Sequence, residues 1–155
     1  MAEAMGEKPT PRVIILDDDP LYLRVWEKIF RGMIDCHYCL TNDPATASAV
    51  LKSTTVDLVI SDIVMPLGSG YAIAELTSKL QSTAQVILTT GYDCNLSRFT
   101  LQDPHFHILY KPYRNIGDIQ RFVQHLLNRT TMFTDLSEES MSENSDYPQV
   151  TEWRL

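Results

Sequence analysis

Three consecutive aspartates, Asp17 to Asp19, directly follow the apolar run Val13 to Leu16. Later apolar runs are also followed by polar residues, namely Asp62, Thr89, Thr90 and Lys111. Carboxylates a few Å apart raise one another's pKa unless a cation joins them. Oxygen ligands of this kind suit Mg²⁺, and a further carboxylate can attack a phosphoryl group while a lysine and a hydroxyl neutralise its oxygens. If one fold gathers these residues, they predict metal-assisted phosphoryl transfer.

Five short apolar runs indicate the strands that would have to gather them. They are "VIIL" (13–16), "CHYCL" (36–40, the weakest), "VDLVI" (56–60), "QVIL" (85–88) and "HILY" (107–110). Short, nearly continuous apolar runs are typical of strands that are covered on both faces.

Apolar stripes with helical spacing lie between these runs. The stripes comprise Tyr22, Val25, Trp26, Ile29, Phe30 and Met33; Ala47, Val50 and Leu51; Tyr71, Ala74 and Leu76, with Ile73 and Leu80 widening the buried face; and Ile116, Ile119, Phe122, Val123 and Leu126. The stretch "NLSRFTLQDP" is the weakest helix candidate.

Strands that alternate with helices predict an α/β fold with a parallel sheet and helices on both faces. In such sheets ligands bind beyond the carboxyl ends of the strands, at the topological switch point. The polar residues named above should therefore converge there. Asp19 before Pro20 fits a helix N-cap, which leaves Asp17 and Asp18 for a metal.

Composition limits the class of protein. The 155 residues allow one domain, and the longest apolar run of four residues cannot span a bilayer. No Lys/Arg-rich stretch or secretory signal is present, which argues against direct nucleic-acid binding and favours a cytoplasmic protein without membrane contact.

Residues 131–155 hold six acids and one arginine. We expect a flexible tail at 1–10 and a disordered acidic tail at 130–155. The pair Cys36 and Cys39 is expected to be buried structural thiols.

Four segments resemble the response-regulator receiver (CheY-like) domain of two-component signalling. They are "ILDDDP", "DIVMPLGSGY", "LTTGY" and "YKPY", in family order and with intervals of 44 residues from Asp18 to Asp62 and 21 from Thr90 to Lys111. The resemblance covers about residues 11–128 and implies a receiver domain at 11–129. The implied fold is a flavodoxin-like, doubly wound (βα)₅ unit with strand order 2-1-3-4-5.

The resemblance also implies a role for each matched residue. Asp62 would be the phosphoacceptor, Thr90 the switch hydroxyl and Lys111 the phosphoryl-binding cation. Mg²⁺ would be bound by Asp18 and Asp62, by Asp17 mainly through water, and by the backbone carbonyl of Val64. Pro112 would follow a cis Lys–Pro bond, and Pro66, Gly68 and Gly70 would form the turn into the third helix.

The implied function is that of a phosphorylated signalling module rather than an enzyme. A histidine kinase or phosphotransfer protein would supply the phosphoryl group, and the recipient would be a downstream protein that the sequence does not identify. A homodimer through the family's helix 4, strand 5 and helix 5 face is a further expectation.

Three positions modify what the resemblance implies. The family usually has an aromatic residue three positions before the lysine, where this chain has Ile108. Val64 and Tyr92 lie two residues after Asp62 and Thr90, where they should obstruct the water that hydrolyses the acyl phosphate. We therefore expect slow self-dephosphorylation.

His105 and His107 could form a metal pair, but edge histidines are the simpler interpretation.

Two alternatives stay open. A haloacid-dehalogenase-like phosphatase would use Asp17 as nucleophile and Asp19 as acid/base, although it would leave Asp62 without a role. A receiver-like interaction module that is never phosphorylated is the other.

Overall fold

The structure is a computed structural model that describes residues 10–32, 36–66, 68–91, 104–131 and 152–154. The predicted fourth helix and Tyr92 lie outside these residues, as does Met33 of the first stripe.

A parallel sheet forms the centre of the molecule. Its strands are β1 (Arg12–Leu16), β2 (His37–Thr41), β3 (Leu58–Asp62), β6 (Gln85–Thr90), β7 (Phe106–Tyr110) and β8 (Glu152–Arg154). A separate ribbon pairs β4 (Val64–Met65) with β5 (Gly68–Ser69). The main sheet has the order β2-β1-β3-β6-β7-β8, so its first five strands follow the predicted 2-1-3-4-5 order.

Within the described residues four helices cover the sheet, and two of them begin with the same local signal. They are α1 (Pro20–Arg31), α2 (Pro44–Ser53), α3 (Gly70–Leu80) and α4 (Ile116–Thr131). Asp19 caps α1 by accepting a hydrogen bond from Leu21 N, and Asp43 caps α2 in the same way. Each cap precedes a proline, which favours the first helical turn because its fixed φ suits the helix and it has no N–H to satisfy.

Successive strand residues point to opposite faces, which divides the core in two. One core packs Ile14, Val59 and Leu88 against α2 and α3. The other packs strand residues such as Ile15 and Ile87 against α1 and α4. The described residues of the predicted stripes therefore face the sheet, except for Tyr22, which lines the cleft described below, and Leu80.

The buried face of α3 differs from the prediction at its end. Leu80 is 48% exposed, and Thr77 is fully buried instead. Burial of Thr77 is tolerated because its hydroxyl donates a hydrogen bond of 2.7 Å to Ile73 O. Near the end of α3, the side-chain amide of Gln81 forms three hydrogen bonds. Its Nε2 donates to Leu51 O and Thr54 O, and its Oε1 accepts from Val56 N.

Strand β8 was not predicted, because the acidic tail showed no strand periodicity. Glu152–Arg154 pairs parallel with β7, with Leu109 opposite Trp153. The acidic tail expected at 130–155 stays a prediction, because residues 132–151 lie outside the described part of the chain.

Two predictions about polar core residues need correction. His107 does not lie on an edge strand, because β7 pairs with both β6 and β8. It is buried, its Nε2 lies 2.8 Å from Gln85 Oε1, and its ring packs edge-on against Phe122. Cys36 and Cys39 are free but only partly buried. Burial, aided by the charge of Asp57, raises the pKa of Cys36 to about 11.

No helix in the described segments has the length and apolar character that a membrane crossing requires.

Candidate functional site

Backbone hydrogen bonds fix the positions of the residues that follow the strands. Asp17 N donates to Thr41 O, Ile63 N donates to Thr89 O, and Lys111 N donates to Thr90 O. Asp62 itself lies opposite Thr89 in the register of β3 and β6. The carboxyl ends of β1, β3, β6 and β7 therefore form one rigid edge. The site lies beyond the end of β1, which has β2 on one side and β3 on the other. This is the topological switch point of the sheet.

Asp17 is the most buried carboxylate of the site. It is 1% exposed, and its Oδ1 accepts a 2.9 Å hydrogen bond from Asp19 N. Its Oδ2 lies 2.9 Å from Lys111 Nζ. Oδ1 is thus hydrogen-bonded within the chain, whereas Oδ2 forms an ion pair with Lys111 but no hydrogen bond of regular geometry.

Asp62 shares the same cation. Lys111 Nζ lies 3.3 Å from Asp62 Oδ2, and both side chains are about nine-tenths buried. The peptide bond between Lys111 and Pro112 is cis, as expected from the resemblance.

Burial and charge shift the pKa values of these three groups. Burial is the largest cause that raises the pKa of Asp62 to about 6; Lys111 opposes the rise, and Asp17 adds to it. Burial also raises the pKa of Asp17, against the hydrogen bond from Asp19 N and the interaction with Lys111. For Lys111 burial lowers the pKa, but the hydrogen bonds and charges of Asp17 and Asp62 outweigh it, so the net pKa is raised.

The carboxylates are arranged as a divalent cation would require. One oxygen each from Asp17, Asp18 and Asp62 can be chosen so that all three lie within 4.8 Å of one another. Asp18 is exposed, so its carboxylate is accessible to a metal ion from solvent. The raised pKa of Asp62 reflects burial and negative charge that a bound cation would offset. An all-oxygen set that leaves positions for water fits Mg²⁺.

An open cleft of about 720 Å³ gives solvent access to this cluster. Its polar lining comes from Asp18, Asp19, Tyr22, Asp62 and Lys111, and the rest from Val64, Met65, Pro66, Gly91 and Pro112. Val64 is 52% exposed at the cleft.

The lining of the cleft differs from the sequence-based prediction at Thr90 and Tyr22. Thr90 is fully buried, and its neighbour Gly91 lines the cleft in its place. Tyr22 lines the cleft but was predicted only as part of an apolar stripe. Its place three residues after the Asp19 cap puts it in the first turn of α1, beside the strand ends, and that spacing was the available signal.

Gly70 permits the close approach of α3 to the site. A Cβ at this position would lie 2.4 Å from Asp62 O and 2.9 Å from Ile63 Cα, and both are backbone atoms. Gly70 N also donates to Ile63 O. A side chain here would therefore displace the backbone that carries Asp62.

The comparison with known families decides the class of protein. The family model described as the response regulator receiver domain matches residues 13–124. The chain belongs to this family. Its convergent carboxylates and lysine thus lie at the acidic edge of a receiver domain.

Similar proteins agree with this assignment. The two-component response regulator ORR30 of Oryza sativa subsp. japonica is 32% identical over 76% of this chain and 35% of its own length. ORR22 of the same subspecies is 28% identical over 89% of this chain and 20% of its own length. The receiver domain therefore spans about a fifth to a third of these relatives.

Solved structures show the same fold. The signal receiver domain of an HD domain-containing protein from Pseudomonas fluorescens Pf-5 superposes with a TM-score of 0.72 at 18% identity, over 85% of this chain and 97% of that one. A CheY-like receiver domain protein from Methanospirillum hungatei JF-1 gives 0.66 at 25% identity, over 77% and 95%.

Replacing Gly70 by alanine should destabilise the receiver domain by about 1–3 kcal/mol, because the added Cβ forces backbone shifts next to Asp62. Urea unfolding would measure the loss. Gly117→Ala in α4 is the matched control: its Cβ meets nothing closer than 3.4 Å, so the free energy of unfolding should stay level or rise. Equal effects of the two variants would contradict the close-approach argument.

Asp62→Asn should stabilise the metal-free domain at pH 7.5 by about 1–3 kcal/mol, because the folded state then no longer holds a carboxylate whose pKa is about 6 instead of 3.8. The sign follows from proton uptake. As pH falls through 6, the folded wild type binds a proton before the unfolded chain does, so the wild type gains stability and the difference closes by about pH 4. Urea titrations across this range would measure it. Asp43→Asn, which keeps the α2 cap, should follow the wild type, and a pH-independent difference for Asp62→Asn would refute the assignment.

Proposed function

We propose that this receiver domain accepts a phosphoryl group on Asp62 and thereby controls a protein-interaction surface. The observation that carries the proposal is the position of the Asp62 carboxylate. It opens onto the cleft, 3.3 Å from the Lys111 ammonium and within a cluster of three carboxylates. A nucleophile, a cation for the transferred oxygens and an oxygen-rich metal site thus occupy one volume.

Each residue has a distinct task in this proposal. At neutral pH most of Asp62 is ionised despite its raised pKa, so its oxygen can attack phosphorus without a general base. The new O–P bond forms as the bond from phosphorus to the donor breaks, and the donor leaves with that electron pair. Lys111 pairs with the transferring oxygens, and Thr90 is the proposed switch hydroxyl next to Gly91.

The metal set in this proposal is Asp18, Asp62 and the Val64 carbonyl, with Asp17 acting mainly through water. Bound Mg²⁺ would supply positive charge to the phosphoryl oxygens during transfer. The Asp17 side chain is suited to an indirect role because both its oxygens already have partners.

The burial of Asp17 also argues against the phosphatase alternative. In that mechanism Asp17 would be the attacking group, yet it is 1% exposed and does not line the cleft, whereas Asp62 does. Asp19, the required acid/base, is engaged as the N-cap of α1.

Receiver domains interact with kinases or phosphotransfer proteins, so we propose a phosphohistidine on such a protein as the donor. The downstream partner is a protein not yet defined.

A homodimer and a cytoplasmic location belong to the same proposal. The beryllofluoride-activated NtrC4 receiver domain, whose fold is similar with a TM-score of 0.65 at 17% identity, is described as a dimer, and this gives a precedent for the dimer.

Incubation with acetyl phosphate and Mg²⁺ should add one phosphoryl group to the wild type and none to Asp62→Asn, as measured by intact mass. Asp118→Asn, which removes a half-buried acid of α4 that pairs with Arg121 and does not line the cleft, should label like the wild type. Omission of Mg²⁺ should abolish labelling. A labelled Asp62→Asn protein, or steady turnover of a phosphate ester without a stoichiometric label, would contradict the proposal.

Val64→Asn should shorten the lifetime of the acyl phosphate several-fold, because an amide at the exposed mouth of the cleft can orient the attacking water whereas valine cannot. Loss of the mass label over time after removal of the donor measures the rate. Val64→Leu is the apolar control and should decay like the wild type. Identical decay of Val64→Asn and Val64→Leu would remove this role for position 64.

A further inference from the structure

A line of aromatic rings begins at the Lys111 ammonium. Lys111 Nζ lies 4.1 Å from the centroid of the Tyr22 ring, which is the distance of a cation–π contact. The Tyr22 ring in turn meets the Tyr113 ring edge-on, with centroids 5.1 Å apart and planes at 75°. Lys111 therefore has an aromatic neighbour on α1 in addition to its two carboxylates.

The line continues into the core between α1 and α4. The Tyr113 and Trp26 rings are 5.5 Å apart, and Trp26 Nε1–H donates a 3.2 Å hydrogen bond to the Tyr113 hydroxyl. Trp26 is fully buried and packs with Ile119 and Phe122 of α4 in the same core. Burial raises the pKa of Tyr113, and the charge of Asp17 adds to that rise, so the Tyr113 hydroxyl lies within electrostatic reach of the site.

The Tyr22 ring differs from the carboxylates in one physical respect. Asp17 and Asp62 would share their negative charge with a bound cation, which weakens their hold on Lys111. A ring face cannot bind the hard Mg²⁺ ion in place of oxygen ligands, so its attraction for the ammonium persists when the metal site is filled. The lysine would then stay at the cleft when it is needed there.

We propose that Tyr22 is a positioning residue that holds the Lys111 ammonium at the cleft. We further propose that the Tyr22–Tyr113–Trp26 contacts couple phosphoryl binding at Lys111 to the packing of the α1–α4 face. This inference rests on the proposed function of Asp62. It places an output on the side of the sheet opposite Ile108, because Ile108 belongs to the core under α2 and α3.

The first test separates metal binding from phosphoryl binding. Beryllofluoride mimics the phosphoryl group on an aspartate and needs Lys111, whereas Mg²⁺ needs the carboxylates. Tyr22→Leu should weaken beryllofluoride binding in Mg²⁺ roughly two- to thirtyfold, the range that a cation–π contact supports, and leave the Mg²⁺ affinity within about twofold. Tyr22→Phe keeps the ring and should restore most of the affinity. Calorimetry measures both constants.

The second test uses the indole as a reporter. The chain has two tryptophans, Trp26 and Trp153, so a Trp153→Phe background isolates the emission of Trp26. Beryllofluoride should change that emission, and Tyr113→Phe, which removes the hydroxyl that accepts the indole hydrogen bond, should abolish most of the change without weakening binding.

The outcomes distinguish this inference from the proposed function. A Tyr22→Leu protein that binds beryllofluoride like the wild type, or loses Mg²⁺ affinity equally, overturns the positioning role while the function of Asp62 stands. An unchanged Trp26 emission in a protein that binds beryllofluoride overturns the path to α4. A wild type that binds no beryllofluoride overturns both proposals. If Tyr22→Leu does not fold, Tyr22→Met serves as the variant without a ring.

Discussion

The ammonium of Lys111 makes the acidic edge of the sheet physically tolerable. Asp17 and Asp62 are both about nine-tenths buried or more, and two buried carboxylates side by side would otherwise each favour protonation. Lys111 contacts both, at 2.9 and 3.3 Å. The compensation is partial, since the pKa of Asp62 is still raised to about 6. The domain thus retains a pocket that is short of positive charge.

The sheet supplies the rigidity that such a pocket requires. Its strands are hydrogen-bonded up to the residues that carry the chemistry, and the contacts from Asp17 N to Thr41 O and from Lys111 N to Thr90 O extend the pairing one residue further. Displacement of one carboxylate would therefore strain two neighbouring strands. Stability is concentrated in the apolar layers on either side, and the strand ends hold the charges that those layers could not accommodate.

Much of this arrangement could be predicted from sequence because its causes are local or periodic. Continuous apolar runs indicate strands covered on both faces, and in a parallel sheet the residue after each run must lie at one edge. That rule alone brought Asp17, Asp62 and Lys111 together. The Asp19–Pro20 cap is equally local. The family resemblance added the roles, the strand order and the cis bond before Pro112.

The features that were missed depend on packing between distant segments. Tyr22 has the spacing of a core residue, and nothing nearby in sequence shows that Lys111 lies over its ring. Leu80 has the correct period to be buried, but the side-chain amide of Gln81 instead connects the end of α3 to the last turn of α2 and to Thr54 after it. His107 is polar yet buried because Gln85, on the adjacent strand, supplies its partner. Such pairings are set by register across the sheet, which composition does not reveal.

Strand β8 has a consequence for the edge of the sheet. Each strand has two sides along which its main chain can form a ladder, and β7 uses one side for β6 and the other, at Ile108 to Tyr110, for residues 152–154. A protein that docks by adding a strand at β7 would have to compete with residues 152–154 for the same peptide groups. This segment would then act as an intramolecular competitor, and its release would set the threshold for that kind of docking.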